Sequence, residues 1–429
     1  MRKAYGFSAA FAAAMLLLLG ACMELEDLPD RGDTDTDTDT DTDTYTKYMS
    51  FDGLDMLIVV DNSISMAEEQ QILATGMFSL VNAIAYPVDG SPAADDIRIA
   101  VTTTDMGLSW GGNPYEEGDG WPGTNPCSAS GDNGGFQTYS SGTSIDIEEG
   151  VIECDEGASQ CPMNWSCEDI GSDGVGTCQD SVGDGTYQAC PSMSGAWAYM
   201  DWENTDEELA FQSACMTQRG TYGCGWEQQL QAGVAALTRS DQEVFVREDA
   251  LLAIIVVSDE MDCSMENGPD IFATDDVQGT GDGPSRLNVA CGNHQDFLYS
   301  PQHYVQTWRA LKDDTVNGVF FAAIVGVSTG GECQGDGTEI GNCLESSAME
   351  LVEVIEEDSA GQDAVYFRPA CTRDEGGTQV TKAIPAVRMV DVARRFGEYG
   401  YVYSICNADW TDGMTEIGNR ITDQMAGEI

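Results

Sequence analysis

The sequence predicts an α/β fold: a doubly wound, mainly parallel sheet carrying a disulfide-rich irregular insertion. Three observations predict it. Short β-branched or apolar runs at Leu57 to Val60, Ile97 to Thr104, Ala250 to Val257 and Val319 to Val325 read as buried strands. Segments with helical periodicity separate most of them, and strands alternating with amphipathic helices imply a parallel sheet. Finally, Met106 to Gln218 contains no Lys or Arg but holds Cys127, Cys154, Cys161, Cys167, Cys178, Cys190 and Cys215. That interval is too long for a structureless loop in a compact domain, so residues 106–218 read as a stapled, acidic insertion.

The chain begins with a secretion signal over residues 1–21: basic Arg2 and Lys3, then an apolar run from Phe7 to Leu19. Leu19-Gly-Ala-Cys22 resembles the lipobox of bacterial lipoproteins, which implies Cys22 as a lipidated first residue. Met23 follows where an Asp would imply retention at the inner membrane, so the expected location is the outer membrane or cell surface. Residues 22–50 read as a tether. Asp33 to Thr44 is six Asp-Thr repeats, which have nothing apolar to bury and stay extended. From Met23 to Thr44 the chain reaches at most about 70 Å, at roughly 3.3 Å per residue.

The folded part, residues 51–429, opens with the Leu57 to Val60 strand, then Asp61-Asn-Ser-Ile-Ser65, then a helical pattern from Met66 to Ala85. Ile97 to Thr104 follows and ends at Asp105. After the insertion, Gly220-Thr-Tyr-Gly-Cys-Gly-Trp226 leads into a helix to about Leu237, with Leu230, Val234 and Leu237 on one face. The Ala250 to Val257 strand ends at Ser258-Asp-Glu-Met-Asp-Cys263. A helix is expected over Gln302 to Leu311, then the Val319 to Val325 strand. A smaller loop-rich insertion, residues 327–380, holds Cys333, Cys343 and Cys371 and a short helix at Ala348 to Ile355. Helix Ala386 to Phe396, strand Tyr401 to Ile405 and helix Asp412 to Met425 close the chain.

Charge and cysteine content narrow the function. With 74 acidic and 18 basic residues, the chain has a formal net charge of -56. It repels nucleic acid and anionic lipid head groups, and attracts cations or basic partners. Setting Cys22 aside leaves fourteen of the 15 cysteines, no C-x-x-C pair, and only His294 and His303 as histidines. That favours disulfides in an oxidising compartment over zinc.

The opening loop offers one carboxylate and two hydroxyls, Asp61, Ser63 and Ser65, all hard oxygens suited to Mg²⁺, Mn²⁺ or Ca²⁺. The same residues could equally cap the following helix. Asp105 and Asp259 also end strands, and Thr221 precedes a helix. In a parallel sheet all of these converge on one edge, where such folds bind ligands.

At these residues the chain resembles the von Willebrand factor A domain, which has a Rossmann-like sheet, and more narrowly the bacterial lipoproteins that carry it. The matched segments are Asp61-Asn-Ser-Ile-Ser65, Gly220-Thr221 and Val256-Val-Ser-Asp259. The resemblance implies a metal-ion-dependent adhesion site with Asp61, Ser63, Ser65, Thr221 and Asp259 as direct or water-mediated ligands, Mg²⁺ first, with Ca²⁺ or Mn²⁺ as alternatives. Thr102, Thr103 and Thr104 compete with Thr221 for its place. Asp105, Glu227 and Glu260 are further acids expected beside the ligands. Ile64 and Glu260 stand where the family often has glycine. If the loop needs a positive φ at 64, Ile64 is strained there.

Such a site leaves a coordination position for a carboxylate of a protein partner, which is a binding contact and not a reaction. Glu227, Glu260 and Asp262 are the acids available as a general base for hydrolysis, but nothing specifies one. The expected function is therefore a lipid-anchored surface binding or adhesion protein without enzymatic activity. The alternatives are an envelope component whose metal only stabilises the fold and, remotely, a metal-dependent hydrolase. Cys224 and Cys263 flank the loops and are expected in bracing disulfides.

Overall fold

A computed structural model describes residues 51–87, 96–107, 127, 131–138, 144–146, 153–155, 165–168, 175–180, 187–190, 195–200, 205–266, 268–278, 284–313, 317–357 and 361–427. Cys22, the signal and the Asp-Thr tether lie outside the described residues, as does most of the interval 108–194. All described residues belong to one compact unit spanning Tyr48–Ile429.

The core is a seven-stranded sheet. Its strands are β1 (Gly53–Val60), β2 (Ile97–Thr103), β3 (Ala198–Met200), β4 (Ala250–Ser258), β5 (Val319–Val325), β6 (Gly335–Asp336) and β7 (Gly400–Ser404). They lie in the order β6-β7-β5-β4-β1-β2-β3. The five central strands are mutually parallel, while β3 and β6 close the two edges antiparallel. From β1 the chain goes outward to β2, then returns to the other side of β1 for β4, β5 and β7.

Residues adjacent along a strand serve opposite faces. Met56, Ile58 and Val60, with Ala253, Ile255 and Val257, pack under α1 (Ala67–Ala85), α2 (Asp206–Thr217) and α6 (Thr411–Ala426). Leu57 and Val59, with Leu252, Ile254 and Val256, pack against α3 (Gln229–Thr238), α4 (Pro301–Ala310) and α5 (Val387–Phe396). Strands buried on both faces must be apolar throughout, and every residue of β1, β4 and β5 is buried.

The intervals expected to be irregular contain ordered elements. Residues 198–217 of the cysteine-rich interval supply edge strand β3 and helix α2, which packs on α1. Its apolar residues Leu209, Phe211 and Met216 join the core. Short antiparallel pairs also form there, Ser144–Asp146 with Tyr187–Ala189 and Val175–Asp180 with both Glu153–Asp155 and Trp165–Glu168. In the second interval, the helix expected at Ala348 to Ile355 does not form. Glu353–Glu357 is a strand paired with Asp363–Phe367. Its burial alternates residue by residue, so period two wins over the helical spacing of Leu351, Val352 and Ile355. A second hairpin joins Cys371–Glu375 to Thr378–Ala383.

Five disulfides occur among the described residues: Cys127–Cys224, Cys190–Cys215, Cys263–Cys291, Cys333–Cys343 and Cys371–Cys406. Cys224 and Cys263 are thus paired, as expected for braces of the loops after β2 and β4. No described helix is long and apolar enough to cross a membrane.

Candidate functional site

Register alone brings the central acids together. Val60 pairs with both Thr103 and Val257, so Asp61 emerges level with Thr104 on one side and Ser258 on the other. This is the carboxyl end of the sheet where the chain reverses direction between β1 and β4, the crevice that open α/β sheets use for ligands.

Asp61 is fully buried. Its amide donates to the Val257 carbonyl at 3.0 Å. Its Oδ1 accepts from the Ser63 amide at 2.8 Å, and its Oδ2 accepts from the Ser258 hydroxyl at 2.6 Å. Ser258 is itself oriented by Gln229 Nε2 and the Glu260 amide, at 2.8 and 3.1 Å. The hydroxyls of Ser63 and Ser65 lie 3.1 Å apart, and Ser65 donates to Asp259 Oδ1 at 3.1 Å. Asp61, Ser63, Ser65 and Asp259 therefore form one connected oxygen cluster. Asp259 is also fixed through its backbone, its carbonyl accepting from the Ile384 amide at 2.8 Å.

Helix capping does not account for these residues. The backbone of Ser63 is extended, as at an N-cap, but its side chain makes no capping bond. Ile64 opens a 3-10 turn, Ile64–Met66, and is not among the described non-glycine residues with positive φ, Asn133 and Asp313. No strain arises there.

Gln70 joins the Thr221 loop to the Asp61 loop. Its Nε2 donates to the carbonyls of Asp61 and Gly220, both at 2.9 Å. Its Oε1 accepts from the amides of Arg219 and Gly220, at 2.8 and 3.0 Å. The Gly223 amide donates to the Asn62 carbonyl at 2.8 Å. A Cβ on Gly223 would fall 2.1 Å from Asn62 Oδ1, so a larger residue there would displace the Asn62 side chain. Among the described residues, no hydrogen bond links the Thr221 side chain to Asp61, Ser63, Ser65 or Asp259. Thr104 stands closer by register: its amide donates to the Val60 carbonyl at 3.2 Å, and its buried hydroxyl has no hydrogen-bond partner among the described residues.

Asp105 bonds backbone amides beside the cluster. Its Oδ1 accepts from the Gly107 amide at 2.9 Å, and burial together with the charge of Asp132 raises its pKa against that bond. It braces the loop that leaves β2. Asp262 is occupied as well, Oδ1 accepting from the Leu230 amide and the Ser264 hydroxyl and Oδ2 from Arg388 Nε. The two histidines are stacked, His294 on Phe297 and His303 on Tyr299.

Electrostatically the cluster is dominated by carboxyl groups. Burial, then the charges of Asp61, Glu260 and Asp259, holds Glu227 well above the usual carboxylate range. Burial, then Glu260 and Asp61, does the same to Asp259. Burial raises Asp61 against its hydrogen bonds from Ser258 and Ser63. Glu260 is pushed up to about 7 by burial and the charge of Asp61, with Lys382 opposing. Four carboxyl groups thus disfavour one another's ionisation in a desolvated place. No group of three or more His, Cys, Asp or Glu side chains with metal-holding geometry occurs among the described residues. A cation here would rest on the two aspartates and the hydroxyls.

Three residues not expected from the sequence support Asp61: Ser258 bonds its carboxylate, Gln70 its carbonyl, and Gln229 orients Ser258. Only the position of Ser258, level with Asp61 once β1 and β4 are paired, could have signalled a role. The chain matches no model of a known protein family and no curated protein.

Proposed function

We propose that this chain is a lipid-anchored envelope protein of the von Willebrand factor A type, which binds a partner's carboxylate through a divalent cation held by Asp61, Ser63, Ser65 and Asp259. Thr221 or Thr104 would supply a further oxygen. The observation that carries this reading is the chain of oxygens from Ser63 to Ser65 to Asp259, spaced 3.1 Å at each step. Neighbouring oxygens around an octahedral cation with bonds of roughly 2.1 Å lie about 3 Å apart. The donor set also fits, being hard oxygens with excess negative charge and no zinc-type ligand. A bound cation would supply a positive centre with a coordination position open to a carboxylate. The residues themselves orient the oxygens and exclude water from Asp61. The strand order, with Asp61 and Asp259 ending adjacent strands at the reversal point, supports the family reading. Cys22 and its tether would place the domain at the outer membrane or cell surface.

The test uses wild type and Asp61→Ala in a pull-down from envelope extracts, with Mg²⁺ or with EDTA. The expected outcome is a partner captured only by wild type with Mg²⁺, while circular dichroism shows Asp61→Ala folded. Capture that survives both EDTA and the substitution would sink the reading.

A second reading is favoured by the burial of three of the four residues: Asp61, Asp259 and Ser63 expose 0%, 2% and 5% of their surface, as expected of a cation that only stabilises the fold, while Ser65 is exposed. In that case Mg²⁺ raises the melting temperature, and no carboxylate ligand binds.

A further inference from the structure

We propose that Ile64 and Tyr222 form an apolar rim that selects a carboxylate carried next to a bulky apolar side chain. The proposal rests on the cation-bridged reading above and names the partner chemistry that reading leaves open.

Six large apolar side chains are exposed among the described residues, and the two most exposed are Tyr222 at 86% and Ile64 at 77%. Single exposed apolar residues are ordinary. These two are not scattered. Ile64 stands between Ser63 and Ser65, and Tyr222 follows Thr221. Their loops touch, through the Gly223 amide on the Asn62 carbonyl at 2.8 Å and through Gln70, which holds the carbonyls of Asp61 and Gly220 together. The two most exposed of these side chains thus stand on loops that touch beside the buried oxygen cluster. Neither the 3-10 turn at Ile64 nor the loop at Tyr222 requires an apolar residue, since both side chains point into solvent. Apolar side chains gathered at a site mark contact surfaces, and tyrosine is among the residues that contribute most to them.

With the cation bound, charge limits the occupant to few acids. Asp61, Glu227, Asp259 and Glu260 crowd the floor, Glu68 is exposed nearby, and the chain carries -56 overall. A ligand with several acids is repelled. A peptide segment with one carboxylate and a neighbouring leucine or phenylalanine matches both the floor and the rim.

The experiment titrates the full chain, saturated with Mg²⁺, with three capped peptides: Gly-Gly-Asp-Leu-Gly-Gly, Gly-Gly-Asp-Gly-Gly-Gly and Gly-Gly-Asn-Leu-Gly-Gly. The Asp-Leu peptide is expected to bind about tenfold tighter than the Asp-Gly peptide, the equivalent of partly burying one leucine. The Asn-Leu peptide is expected not to bind. The double variant Ile64→Ser, Tyr222→Ser should abolish the leucine preference while leaving Mg²⁺ affinity, titrated separately, unchanged. Equal affinities for the Asp-Leu and Asp-Gly peptides, or a preference that survives in the double variant, would overturn the rim alone. A wild-type chain that binds Mg²⁺ but neither Asp peptide overturns the rim and leaves a structural cation. A wild-type chain that does not bind Mg²⁺ overturns the cation reading and the rim with it.

Discussion

Glu69 stands a few residues beyond the oxygen cluster on α1 and is fully buried. One of its carboxylate oxygens accepts from the Thr381 hydroxyl, and the other has no hydrogen-bond partner among the described residues. Burial raises its pKa, against the Thr381 bond and the charge of Arg373. A carboxyl group raised in the folded state holds its proton where the unfolded chain has lost it. Its contribution to stability is therefore complete below the ordinary carboxylate value and is lost as pH rises through the folded value. Glu69→Gln keeps an acceptor for Thr381 and removes the buried charge. It should stabilise the protein at pH 8 by about 1 kcal/mol, the order of one unsatisfied buried acceptor. It should change stability little near pH 4. Denaturant unfolding at the two pH values checks this, and an equal effect at both would show that the charge of Glu69 is not the cause. The residue scale is also where the sequence was least legible. Asp61 and Asp259 could be read from the ends of apolar runs. The role of Ser258 could not, because it depends on the register between two strands almost 200 positions apart.

At the scale of elements, the strands that pair in parallel were legible because burial on both faces forces an apolar run, and Val319–Val325 matches its expected bounds. Helix α2 was not. It sits in an interval without Lys or Arg, and its inner face includes the buried polar residues Ser213 and Thr217, whose hydroxyls donate to carbonyls of the same helix. The start of α3 was placed a few residues early, near Trp226, because the signal that fixes it is tertiary. Asp262 Oδ1 accepts from the Leu230 amide at 3.0 Å, and Arg388 on α5 holds Asp262 Oδ2 at 2.9 Å. Arg388 also donates to the Tyr299 carbonyl. The ion pair is almost wholly buried, with side-chain exposures of 4% and 0%. Arg388→Ala leaves a charged, buried Asp262 without its counter-ion and should cost about 3–5 kcal/mol. Arg388→Met with Asp262→Asn should recover part of that loss, because neither residue then carries an uncompensated charge. Chemical denaturation of the three proteins measures it. A loss below about 1 kcal/mol for Arg388→Ala would mean that Asp262 finds another partner.

For the molecule as a whole, the net charge of -56 and the oxygen cluster make separable demands on cations. Self-repulsion among so many carboxylates opposes compaction, and any salt relieves it by screening. Raising NaCl from about 10 mM to about 150 mM shortens the Debye length from roughly 30 Å to 8 Å, and should raise the melting temperature of wild type and Asp61→Ala alike. The cluster at the ends of β1 and β4 calls instead for one ion, fixed by Ser63, Ser65 and Asp259 around a desolvated Asp61. Once screening is saturated by NaCl, added Mg²⁺ should stabilise wild type further, by about 2.7 kcal/mol at a hundredfold excess over its dissociation constant. In Asp61→Ala that second increment should vanish while the first remains. Differential scanning calorimetry in fixed NaCl with stepped MgCl₂ reads both. If Mg²⁺ raises both proteins equally after screening is saturated, the extra stabilisation comes from diffuse acidic surface, and the oxygens joined through Ser65 hold no ion of their own.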